Sequence, residues 1–143
     1  QIEEKYKDFG CRVMQTSAKI EAELSSLEAE ERQAFLDDLN IKESALNRLG
    51  VLYFEALGLI TFFTVGEDEV RAWTVRKGAL APKAAGTIHS DMERGFIRGE
   101  IIKTDELFEL GSELKLKEAG KMLLKGKDYV VQDGDIMHVR FNV

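Results

Sequence analysis

The 143 residues carry 26 acidic and 20 basic side chains, a net charge of −6, with 44% apolar and 32% charged residues. That balance supports a packed core, argues against global disorder and excludes a uniformly basic nucleic-acid binder. The single cysteine, Cys11, excludes an intrachain disulfide and a cysteine-cage zinc site, and it fits a reducing, cytoplasmic setting.

Charge is unevenly placed. Residues 1–52 hold eleven acidic and seven basic side chains, while residues 70–104 hold three acidic and seven basic ones. No apolar run is long enough to span a bilayer, the longest being Ala56 to Phe63. The N-terminus lacks the basic and apolar regions of a signal peptide. Gln1 stands mid-pattern with no initiator Met, so a fragment of a longer protein is expected.

In chain order, residues 1–10 read as the end of a helix and Cys11 to Gln15 as a short strand. Thr16-Ser17-Ala18 then turns into a helix. Ser25-Ser26-Leu27-Glu28 matches a capping box for a second helix with Phe35, Leu36 and Leu39, ended by Asn40. A third helix starts near Ser44, with Leu46, Leu49, Tyr53 and Leu57 on one stripe. Gly58 ends it.

From Leu59 the period changes. Leu59 to Val65 is a strand rich in β-branched and aromatic residues, apolar on both faces and so expected to be central. A loop over Gly66 to Glu69 and a strand from Val70 to Lys77 complete a hairpin. Pro82 suits a first helical turn, Ala84, Ile88 and Met92 form its buried stripe, and Gly95 stops it. Phe96 to Lys103 is a third strand. A short helix is expected at Thr104 to Leu110 and a further turn or helix around Leu116 to Leu124. Asp133-Gly134 between two apolar runs predicts a closing hairpin of Tyr129–Gln132 with Asp135–Phe141. Met137, Val139, Phe141 and Val143 share one strand face, with His138 opposite. The pattern predicts an α+β chain: a helical part over residues 1–56 and a β-grasp, ubiquitin-like domain over 57–143.

Catalytic readings are weak. His89, Asp91 and Glu93 do not converge on a helix, where only His89 and Glu93 are neighbours. Two histidines in all make a metal site improbable in pattern terms. Gly120 to Asp128 has the wrong spacing for a phosphate loop and lacks the hydroxyl residue after Lys127. Cys11 has no nearby histidine to activate it. The better signal is basic: Arg71, Arg76, Lys77, Lys83, Arg94, Arg98 and Lys103, interleaved with Trp73 and Phe96. Charge with a stacking aromatic is a recipe for RNA contact, set against the plainer reading of Trp73 as core.

Arg71-Ala72-Trp73-Thr74, Ala81 to Asp91, Gly95-Phe96-Ile97-Arg98, Lys117 to Lys121, Gly126 to Tyr129, Gln132 to Ile136 and the closing Phe141-Asn142-Val143 resemble the C-terminal region of the YchF-type Obg-like ATPases. The resemblance covers essentially the whole chain. It implies that residues 57–143 are that family's TGS domain, a β-grasp. It also implies that residues 1–56 end a P-loop nucleotide-binding domain, with Ser17, Ala18 and Lys19 the remnant of its base-side loop. A parent that binds and hydrolyses ATP with magnesium and associates with ribosomes is implied. The family's phosphate loop and magnesium-binding segments are not in this sequence, so no catalytic residue, metal or nucleotide is assigned to the chain itself. The TGS domain is expected to bind RNA, the ribosome or another partner. The alternative is that it packs on the nucleotide domain and gates hydrolysis.

Overall fold

The computed structural model describes residues 2–9, 12–66 and 68–142. Two compact units follow one another, Gln1–Leu57 and Gly58–Val143.

The first unit is helical: α1 (Ile2–Lys5), a 3₁₀ turn (Lys7–Phe9), α2 (Ala18–Ser26), α3 (Ala29–Asp38) and α4 (Ala45–Ala56). The strand expected over residues 11–15 does not form: Arg12 to Gln15 has no regular secondary structure, and Cys11 lies outside the described residues. A strand exists only within a ladder, and the described elements of this unit are helices. Ser17 caps α2 by accepting from Ile20 N–H at 3.5 Å. The capping box sits three residues later than expected. Ser25 lies inside α2, its hydroxyl donating to Ala22 C=O at 2.8 Å, and Glu28 and Glu31 form the box of α3. Asn40, in the left-handed region at φ 54°, closes α3. Asn40 N–H donates to Asp37 C=O and Ile41 N–H to Leu36 C=O, a Schellman closure. Ser44 caps α4 through Asn47 N–H. The stripe expected to pack is exposed on this helix, Leu46 at 75%, with Leu49 and Tyr53 beside it.

The second unit is a mixed five-stranded sheet with helices on both faces. Its elements are β1 (Leu59–Val65), β2 (Val70–Arg76), α5 (Ala81–Ile88), α6 (Ser90–Arg94), β3 (Phe96–Lys103), α7 (Thr104–Leu110), α8 (Glu113–Glu118), β4 (Leu123–Lys125) and β5 (Asp135–Phe141). The strand order is β2-β1-β5-β3-β4. β1 is interior, between β2 and β5, as its two apolar faces require, while β5 takes the middle place. Phe62, fully buried, joins Ile60, Val75, Ile101, Met137 and the Ala81, Ala84 and Ala85 face of α5 in one core. Phe63 points the other way and packs against Ile102, Ile136 and Leu116 under α7 and α8. Trp73 lies half-buried against the first core, and its indole N–H donates to Thr64 Oγ1 at 2.9 Å.

Three expectations change. The crossing helix is two helices, because His89 leaves helical geometry (φ −159°) and its Nδ1 accepts from Asp91 N–H to start α6. Residues 119–125 are not helical throughout: Gly120 ends α8 in the left-handed region, and Leu123–Lys125 adds to β3 as an edge strand. The Asp133-Gly134 turn forms, with Gly134 at φ 79°, but it closes no hairpin. Val130 makes a single bridge to Leu80, and β5 pairs instead with β1 in parallel and β3 antiparallel. The turn is fixed from afar. Asp133 Oδ1 accepts from Thr61 N–H, and Gly134 N–H donates to Thr61 C=O, both at 2.8 Å.

Gly95 stops α6 as expected, but not through a left-handed φ. A Cβ there would lie 2.2 Å from Asn142 C=O, so glycine is required for two backbones to touch where β3 begins and β5 ends.

Candidate functional site

Strand register decides where the basic residues stand. β1 and β5 run parallel, so their C-terminal ends mark one end of the sheet. Arg71 opposes Thr64 near that end, and Arg98 opposes Arg140 there. Arg94 precedes Phe96, which opposes Phe141. Arg71, Arg94 and Arg98 thus share an end with Arg140, which the sequence reading did not single out. Arg76 opposes Leu59 at the other end, and Lys77, whose N–H donates to Gly58 C=O, follows it. Lys83 is exposed on α5, with its ammonium 3.3 Å from Glu93.

Alternation divides the charges by face as well. Trp73 and Val75 pack under α5, so Arg71 points to the α5 side while Arg76 points to the α7 and α8 side. Ile101 packs on the same side, which turns Arg98, Glu100, His138 and Arg140 to the opposite face.

Arg71 lies over the Trp73 ring, 4.7 Å from its centre, and 3.9 Å from Glu69. Arg94 is paired with Asp91. The Arg94 hydrogen bond holds the Asp91 carboxyl below the usual carboxylate range. Arg140 grips both Glu100 oxygens, at 3.0 and 3.2 Å, which likewise lowers the Glu100 pKa. His138 meets Glu113 at 3.2 Å. Arg98 is exposed.

Lys103 stands apart. Its ammonium is 2.5 Å from Asp135, a fully buried carboxylate that also accepts from Tyr129 O–H at 2.7 Å and Gln132 N–H at 2.9 Å. Burial pulls the Lys103 pKa down, but its hydrogen bonds to Asp135 and Tyr129 outweigh burial and leave it raised. Burial, with the bond to Asp135, pushes the Tyr129 hydroxyl up. This network ties the loop over residues 129–135 to the end of β3.

In the helical unit, Ser17, Ala18 and Lys19 form the first turn of α2. The Ser17 hydroxyl is taken by the cap, and Lys19 faces Glu23 at 4.0 Å. Among the described residues, no three His, Cys, Asp or Glu side chains gather as a metal site, and no helix is long and apolar enough to cross a membrane.

Comparison with known proteins fits this architecture. The family model YchF-GTPase_C, described as "Protein of unknown function (DUF933)", matches residues 59–142. The chain belongs to the YchF family. It is 54% identical over 133 residues to the Ribosome-binding ATPase YchF of Bacillus subtilis, covering 93% of this chain and 36% of that protein. It is 49% identical over 135 residues to human Obg-like ATPase 1, covering 94% of this chain and 34% of that protein. The solved Schizosaccharomyces pombe YchF GTPase superposes with a TM-score of 0.84 at 41% identity, over 97% of this chain and 37% of that one. This YchF-family chain therefore spans little more than a third of its relatives and corresponds to their C-terminal part.

Proposed function

We propose that the chain is the partner-binding C-terminal module of a ribosome-associated ATPase, and that its sheet unit is a TGS domain of the β-grasp type. The relatives are named ribosome-binding ATPases. The central parallel pair of β1 and β5, with a hairpin on one side and α5 packed across the sheet, supports the β-grasp reading. The observation that carries the functional reading is that Arg71, Arg94, Arg98 and Arg140 share one end of the sheet of an acidic protein, Arg71 on one face and Arg98 and Arg140 on the other, with exposed carboxylate pairs at Arg71 and Arg94 that phosphate can replace. That end meets ribosomal RNA through phosphate contacts. Arg76 and Lys77 extend contact at the opposite end, and Lys83 along α5. Lys103 contributes less, because Asp135 already engages it.

ATP and magnesium belong to the whole protein in this proposal, and the setting is the cytoplasm. The chain alone holds no nucleotide: Ser17, Ala18 and Lys19 offer one helical turn and no phosphate grip. Micromolar ATP binding to the 143-residue chain by calorimetry would contradict this.

The test of ribosome contact uses the full-length protein with Arg94 and Arg98 reversed to Glu. Ribosome co-sedimentation should weaken, with a shallower dependence on salt than the parent shows. Unchanged binding at every salt concentration refutes the assignment.

A further inference from the structure

Consecutive residues of a strand point to opposite faces of its sheet. Yet Met137, His138, Val139 and Arg140 all line one recess of about 400 Å³. Four successive residues border one cavity only where it opens between strands, in the plane of the sheet. The register explains the opening. Phe63 opposes Ile136, and β1 ends at Val65, two residues further on. β5 runs to Phe141. Its stretch Val139–Phe141 has β3 on one side and no strand on the other. Val139 and Arg140 of that stretch border the recess, and the backbone groups of the stretch that do not bond β3 lie on its open side. Ile88 and Met92 form its floor, on the α5 side.

We propose that this slot binds an extended peptide segment, which adds to the free edge of β5 through main-chain hydrogen bonds. Three open residues match a segment of three or four. Side chains of the added strand alternate between the two faces. One face meets the apolar floor of Ile88 and Met92. The other meets Arg98 and Arg140, directly opposed across β3 and β5 and both exposed. Arg140 is matched by Glu100, so Arg98 supplies the uncompensated positive charge on this face; Glu113 is engaged by His138, and Glu69, which lines the recess, lies 3.9 Å from Arg71. The occupant is therefore a segment alternating apolar and acidic residues. A peptide fits better than a nucleotide. The recess offers strand backbone, and the one nearby indole, Trp73, has its face covered by Arg71 and so gives no stacking platform. This inference does not depend on RNA contact.

The probe is a capped hexapeptide of alternating valine and glutamate, titrated into the isotope-labelled 143-residue chain and followed by amide NMR. Saturable shifts are expected at His138 to Phe141. Placing proline in the middle of the peptide, which removes a backbone donor, should abolish them. Lysine in place of glutamate should weaken binding roughly tenfold, and Arg98→Glu should weaken the glutamate peptide about fivefold while strengthening the lysine one. The spectrum of each variant verifies its fold. Absence of shifts at millimolar peptide, equal binding of the proline peptide, or the same shifts produced at lower concentration by oligouridylate would overturn the proposal.

Discussion

Among the described residues, the unit from Gly58 onward buries thirteen apolar side chains, whereas the unit before it buries three, Leu24, Leu36 and Ala45. The same residue types appear in both. In the sheet unit Phe62 and Ile101 are fully enclosed, while in the helical unit Leu46, Leu49, Val51 and Tyr53 stand exposed along α4. An amphipathic stripe specifies a face, not what covers it. The sheet unit closes its own core from both sides. Among the described residues, the helical unit is held by caps, short turns and the buried Leu24, Leu36 and Ala45, with Ala45 N–H donating to Glu21 Oε1 at 2.9 Å. Stability should therefore reside in the sheet unit.

The largest test of that contrast is Phe62→Ala, which should cost about 4 kcal/mol in a urea titration followed by Trp73 fluorescence. Trp73 is the sole tryptophan, so it reports the sheet unit alone. Next comes Asp135→Ala. It leaves Lys103, Tyr129 O–H and Gln132 N–H without their shared buried acceptor, and a loss of about 3 kcal/mol is expected by the same titration. Gly95→Ala forces apart the touching backbones of Gly95 and Asn142 and should cost about 2 kcal/mol. A titration of stability with pH probes the Glu100–Arg140 pair. The folded pKa of Glu100 is lowered, so its contribution is present above the unfolded carboxylate pKa and disappears as pH falls through the folded one. The urea midpoint should rise from acid toward pH 6, and Glu100→Gln should flatten that rise. The smallest effect is expected from Leu49→Ser on exposed α4, within about 0.5 kcal/mol by far-UV circular dichroism. A large loss there would show that the helical unit depends on its stripe.

Much of the sheet unit could be read from sequence because its rules are local. A run of β-branched and aromatic residues marked β1, the loop after it marked the hairpin to β2, and Pro82 marked the start of the crossing helix. The misses have one physical origin. Leu123–Lys125 is a strand only because β3 lies beside it, and Asp133-Gly134 turns toward Thr61 rather than into a hairpin. Asp135 reads from sequence as the first residue of the closing strand, and it is also a buried acceptor whose partners lie up to 32 positions away. Arg140 escaped notice because the sequence reading stopped counting charge at Lys103, and only register returns it to Arg98.

The parallel pairing of β1 with β5 has a consequence for synthesis. Phe63 waits for Ile136, made 73 positions later. The β1–β2 hairpin can form as soon as Arg76 has left the ribosome, but its inner edge stays unpaired until β5, Asp135–Phe141, has been translated. Loop-closure entropy must be met before the central pairing rewards it. Folding of this unit thus waits for β5, with an open strand edge exposed to other nascent chains while the 73 positions between Phe63 and Ile136 are added.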